Sequence, residues 1–186
     1  EPAVGTPARD RLRALGAVAF LTACTIPFVF VAELLAVALL FALPITVSIP
    51  VLLVTIAFIE EVAKSVHLYA GFERGVFART DRVAVAVGLA SAVGFFVAEK
   101  ATAVVQAVGL TELYVGRAAF GSVAGVSGLS TPLLVGLFLA PLALHGFATT
   151  LAAVGASRNR AYYVLTLALA TLLHAAYNFG VVSLHG

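Results

Sequence analysis

The sequence predicts an all-α fold, a polytopic transmembrane helical bundle with five to six membrane helices. Three observations predict it. The 186-residue chain is 62% hydrophobic and 11% charged, with a mean hydropathy of +1.09; a soluble domain of this length has too little interior to hide that much apolar surface. Apolar runs of about 20 residues, the length that crosses a bilayer as a helix, recur from end to end. The arginines gather at the ends of those runs. The bilayer is therefore the expected partner, and the plasma membrane the expected location. A net charge of +2, with no basic stretch carrying interleaved aromatics, speaks against nucleic acid. Cys24 is the only cysteine, which excludes an internal disulfide.

The first predicted span covers 12–42, after the basic flank "RDRLR", and contains Pro27 and Glu33. At about 1.5 Å per residue it outruns a ~30 Å hydrocarbon core, so it must tilt, kink at Pro27 or project beyond the membrane. Its apolar run is also longer than the ~7–15 residues of a signal peptide, so it reads as a retained helix. The segment "PITVSIP", with two prolines, reads as the turn into a second span over 49–72, and "GFERGVFARTDR" as the charged link that follows. A third span is expected over 83–107, a fourth over 132–156, and after the link "ASRNR" a fifth over 161–183. Residues 108–131, with Glu112, Arg117 and the small-residue run "GSVAGVSGLS", read as a re-entrant or surface element. The whole of 1–186 reads as a single transmembrane domain with a flexible polar segment at 1–11. Because the chain opens on Glu1 and not Met, a soluble segment is expected upstream.

With five crossings, Arg9, Arg11 and Arg13, then Arg74, Arg79 and Arg82, then Arg158 and Arg160 all fall on one side, which the positive-inside rule makes cytoplasmic. A sixth crossing over 112–129 would move the last pair to the other side.

Ionisable groups inside the apolar spans are the functional signal. Glu60 and Glu61 in the second span, Glu99 in the third, His145 in the fourth and His174 in the fifth fall at similar depths, in the half away from the arginines. Left apart in lipid they would cost on the order of 10 kcal/mol together, so a shared site is the economical explanation. Helical spacing refines it. Glu60 and Lys64 share a face and can pair, and His67 continues that face. His174 and Asn178 in "HAAYN" point the same way, as do Phe95 and Glu99 in "FFVAE". Gly146, after His145, offers close helix approach. Glu33 has no partner visible in sequence, and Lys100 and His67 read as snorkelling or locally paired.

Two imidazoles and up to three carboxylates can build a zinc site with an open position for water. The metal would acidify that water, a carboxylate would act as base, and an Asn or second His would hold the developing oxyanion. A metal-free pair of glutamate and histidine can activate water as well. GxSxG, GxxxxGK[ST] and HExxH are absent, which argues against a serine hydrolase, a nucleotide site and a zincin.

The stretches "EEVAK" at 60–64, "FFVAE" at 95–99, "HGFATTLAAVG" from 145 and "HAAYN" at 174–178 resemble the four ordered motifs of the PrsW family of intramembrane proteases, relatives of the CAAX prenyl protease and bacteriocin-processing superfamily. The resemblance covers 49–183. It implies a metal-dependent membrane protease, with zinc as the cofactor and a membrane-anchored protein as the substrate. It implies Glu60 as the general base and Glu61 as its supporting partner or an added ligand. Glu99, where CAAX-type relatives carry a histidine, becomes a metal ligand or a partner in water activation. His145 and His174 become the imidazole ligands and Asn178 the oxyanion or orienting group. Lys64 stands where CAAX-type relatives carry an arginine and would neutralise the glutamate pair. Family members often have more spans, so an N-terminal helix is expected to be missing here. Two other classes compete: a divalent-cation or proton transporter or channel, since Glu/His clusters also build ion paths, and a non-catalytic binding or immunity protein on the same scaffold. The lack of an inverted repeat counts against the transporter.

Overall fold

The computed structural model describes residues 8–107 and 131–185, with side chains over 8–102 and 139–183. Among these residues the chain is helical and contains no strand. Six helices follow one another: α1 (Ala8–Ala23), α2 (Ile26–Leu40), α3 (Ile45–Glu73), α4 (Asp81–Ala107), α5 (Thr131–Arg158) and α6 (Arg160–His185). They make five stretches long and apolar enough to cross a membrane, because α1 and α2 together form one 33-residue stretch. The protein is a multi-pass membrane protein. The expected 108–131 element lies outside the described residues, save for Thr131, which opens α5.

Of the three ways open to the long first span, the chain breaks beside Pro27, between α1 and α2. Proline has no N–H to donate, and its ring displaces the carbonyl four residues back, that of Ala23. Thr25 mends the junction: its hydroxyl donates to Thr22 O at 2.7 Å, and its own carbonyl accepts from Phe28 and Val29 at 3.0 Å. Helix α1 also starts at Ala8, ahead of the span drawn from 12.

Residues "PITVSIP" are not a turn. Pro44 is the N-cap of α3, its carbonyl accepting from Val47 and Ser48 at 2.8 Å. Pro50 is carried inside the helix at the loss of one backbone bond. A proline at the start of a helix loses nothing, since the first N–H groups have no partner there anyway. The far end of α3 closes in a Schellman arrangement. Gly75 takes φ +71°, Val76 N donates to Gly71 O at 2.9 Å and Gly75 N to Phe72 O at 3.1 Å. The link expected at "ASRNR" shrinks to Asn159, whose side chain caps α6 by accepting from Tyr162 N at 3.0 Å.

Helix α3 is the most central element, packing against α2, α4, α5 and α6, while α4 lies between α1 and α5. Glycines set these approaches. A methyl at Gly94 would overlap the backbone carbonyl of Ala19 on α1, and one at Gly88 would lie 2.8 Å from Thr150 Cα on α5. Gly146, expected at a close approach, has only an ordinary 3.7 Å neighbour in Leu89. The apolar core sits at the arginine end, around Val18, Leu68, Phe72, Ala84, Val87, Ala153, Ala156 and Tyr163. There the charged links join. Arg79 pairs with Glu73 at 2.7 Å, Arg158 with Asp81 at 2.6 Å, and Arg79 also donates to Arg158 O at 3.2 Å. These contacts place residues 73–81 and 158 at one end, as five crossings require. Outward-facing Phe28, Leu39 and Leu172 are more than half exposed and suit a lipid surround.

Candidate metal and catalytic site

Beyond that core, toward the opposite end, four helices bring their ionisable side chains together. Helix α3 supplies Glu60, Glu61 and Lys64, α4 Glu99, α5 His145 and α6 His174. Lys64 and Glu61 are fully buried, and His145 and His174 nearly so. The side chains of Glu60 and Glu99 keep 14% and 19% of their surface, so the cluster has an opening on the carboxylate side. The two imidazole rings meet edge-on at 5.3 Å.

Each histidine is held by a carboxylate. His145 Nε2 lies 3.1 Å from Glu99 Oε2, and His174 Nδ1 lies 2.8 Å from Glu61 Oε1. Carboxylates only accept when ionised, so each of these nitrogens carries the proton and the opposite nitrogen keeps its lone pair. This carboxylate–imidazole pattern is the one that orients histidine ligands toward metals. The inward nitrogens are His145 Nδ1 and His174 Nε2. The second faces Glu60 Oε2 at 3.7 Å, too long for a hydrogen bond. Glu60 Oε2 is buried and has no hydrogen-bond partner, and the same holds for Glu61 Oε2.

Glu60, His145 and His174 each offer a ligand atom, all within 4.8 Å of one another. Tetrahedral zinc with bonds of about 2.0–2.1 Å holds its ligand atoms roughly 3.4 Å apart, so the group needs a modest contraction to close on a metal. One carboxylate and two neutral imidazoles are a zinc-type donor set, and the unpartnered Glu60 oxygen is available to it. As a donor set these residues fit the ion, with Lys64 Nζ standing beside His145 Nδ1 and Glu60 Oε2 in the arrangement seen here.

The remaining residues divide clearly. Lys64, expected to pair with Glu60, turns mainly to Glu61, at 2.6 Å against 3.6 Å for Glu60. It also lies 2.8 Å from His145 Nδ1 and 4.6 Å from the Phe95 ring centroid. Glu99 shares its other oxygen with Lys100 at 2.8 Å, the local pairing expected. Asn178 is half-buried one turn beyond His174, and among the described residues no hydrogen bond joins it to the cluster. Glu33, on α2, comes within electrostatic reach of Glu99 and Lys64, which extends the carboxylate group to a fifth helix.

His67 leaves the cluster altogether. Its Nε2 lies 3.0 Å from Thr22 Oγ1 on α1, Thr22 Oγ1 lies 2.9 Å from Ser91 Oγ on α4, and Ser91 donates to Lys64 O at 2.7 Å. Sequence reasoning missed Thr22 and Ser91, because small hydroxyl residues in apolar helices usually bond their own backbone and carry no pattern. Their effect is to clamp α3 at Lys64 against α1 and α4.

No known family model, curated protein or solved structure matches the chain.

Proposed function

We propose that the protein is an intramembrane endopeptidase of the cell membrane, cutting peptide bonds of membrane-anchored proteins with a water activated at the Glu60/His145/His174 group. One observation carries the reading: three ligand-type atoms from three helices lie within 4.8 Å of one another inside a lipid-facing bundle. Both imidazoles there are already oriented by carboxylates. A structural ion pair does not require that arrangement.

Glu60, His145 and His174 are the residues that would hold zinc, which when bound supplies a water acidic enough to attack an amide near neutral pH. The chain's own residues account for the rest. Glu60 has two oxygens: one would help hold the metal, and the carboxylate would accept a proton from the attacking water and return it to the leaving amine. Glu61 and Glu99 fix the ring orientations. Asn178, on the His174 face and partly open, is the side chain available to a carbonyl oxygen that gains charge. The packed helices restrict bulk water, which strengthens each of these interactions.

The test uses proteoliposomes containing the purified protein and a library of single-span membrane peptides, with products read by mass spectrometry. Wild type is expected to release fragments, with Glu60→Gln and His174→Ala slower by at least about a hundredfold under conditions where each variant is still folded, as its thermal unfolding curve checks. Cleavage retained in both variants overturns the reading. Flux of zinc or protons without cleavage in the same vesicles would assign the cluster to transport.

A further inference from the structure

The proposed chemistry does not use Lys64, and its position is unusual. It is a fully buried lysine in a membrane helix, and its Nζ sits among the atoms that would hold the metal. It lies 2.8 Å from His145 Nδ1 and 3.6 Å from Glu60 Oε2, so it touches two of the three ligand residues. Its shortest contact, 2.6 Å to Glu61 Oε1, holds the same oxygen that orients His174.

An ammonium has only hydrogens to offer. His145 Nδ1 must therefore accept from Lys64, and the ring proton resides on Nε2, where Glu99 takes it. In that state the single lone pair of His145 is consumed by Lys64. A metal binding at Nδ1 must displace the ammonium from that lone pair. A metal binding at Nε2 instead would require the ring proton to move to Nδ1, leaving two donors face to face at 2.8 Å. The ammonium must then withdraw as well. Both routes give the same result: His145 cannot ligate a metal while Lys64 holds it. His174 is under no such constraint, since its inward Nε2 faces only Glu60.

We infer that Lys64 is a built-in competitor for the metal position, an internal cation that holds His145 and Glu60 together in the metal-free protein. It must withdraw from His145, keeping Glu61, before a divalent cation can bind. The inference rests on the metal reading above, but not on peptide cleavage. It assigns Lys64 a role in setting metal affinity, and it accounts for the strong carboxylate excess around a lysine that a simple ion pair would not need.

The test compares zinc affinity, measured at one fixed pH by competition with a chromophoric chelator, for purified wild type, Lys64→Met and Lys64→Arg. Lys64→Met is expected to bind zinc about tenfold more tightly than wild type, in the range that residues surrounding metal ligands usually command. Lys64→Arg keeps a donor-only cation and is expected to bind no more tightly than wild type. Adding His174→Ala to the Lys64→Met protein should abolish the gain. Equal or weaker binding by Lys64→Met overturns the inference, and so does tighter binding by Lys64→Arg. A second measurement needs no variant that must fold. The chain has two lysines, Lys64 and Lys100, so lysine-selective nitrogen-15 labelling of wild type gives two side-chain signals. Zinc saturation should shift the Lys64 signal, and a Lys64 signal unmoved at saturation overturns the proposal. Failure of wild type and Lys64→Met alike to bind zinc also removes it, while leaving a metal-free glutamate peptidase intact. Zinc binding with the expected pattern but no cleavage of any peptide removes the peptidase and leaves the lysine inference standing.

Discussion

The two ends of the bundle treat polar groups in opposite ways. At the arginine end, charges stay at the rim as exposed pairs, Glu73–Arg79 and Asp81–Arg158, and the interior beneath is aliphatic and aromatic. Tyr163, the polar member of that core, is stacked on Tyr69 at 4.5 Å and bonded to Ser65 at 3.0 Å. At the opposite end the charges are inside. There Glu60 Oε2 and Glu61 Oε2 are buried without a hydrogen bond, and so are the hydroxyls of Thr149 and Thr171, one turn from His145 and His174. Burying polar atoms without hydrogen bonds is costly. His67 Nδ1 and Thr150 Oγ1, nearer the arginine end, also lack a hydrogen bond, so what sets the opposite end apart is that its open atoms include carboxylate oxygens, the kind a cation would satisfy.

That contrast can be broken or sharpened by substitution, and the largest effect is expected at Glu61. Glu61→Ala leaves the Lys64 ammonium without its shortest partner and releases His174; a loss of about 3–5 kcal/mol is expected, the range for breaking one side of a buried pair. Reversible unfolding in detergent measures it. A loss below about 1 kcal/mol would show that the cluster is not a coupled unit. Next comes Gly94→Ala, which drives a methyl into the Ala19 carbonyl and forces α4 away from α1. About 1–3 kcal/mol is expected, from overpacking, with zinc affinity less affected than stability. Ser91→Ala removes the donor to Lys64 O and a partner of Thr22; about 1 kcal/mol is expected, and a larger loss would show that the α1–α3–α4 clamp bears on the site. Arg158→Ala is expected to matter least. Its pair with Asp81 is more than half exposed on both sides, so the effect should stay under about 1 kcal/mol and shrink in high salt. Should Arg158→Ala prove costlier than Glu61→Ala, the two ends would have to be read the other way round.

Much of the site was legible along the chain. Glutamate and histidine inside apolar spans are rare enough to stand out singly, and similar depths on four spans pointed to one meeting place. Partner choice was not legible. The spacing of Glu60 and Lys64 suggested their pairing, yet Lys64 turns to Glu61 and His145, because Glu61 Oε1 lies nearer and His145 on α5 presents an acceptor nitrogen on that side. His67 continues the same sequence face yet faces α1, where Thr22 receives it. Periodicity gives the face of one helix, but not which neighbour that face meets.

The sequence by itself determined the membrane environment, the five long apolar spans among the described residues, that the first span is too long to cross upright and straight, and the identity of the ionisable groups. Each of these follows from local hydropathy, length or backbone chemistry. Tertiary structure alone decided which carboxylate orients which imidazole, that Glu60 joins His145 and His174 as a group, and that Lys64 lies among them. These depend on helix rotation and approach, set by contacts such as Gly94 against Ala19 and Gly88 against Thr150 between residues distant in the chain.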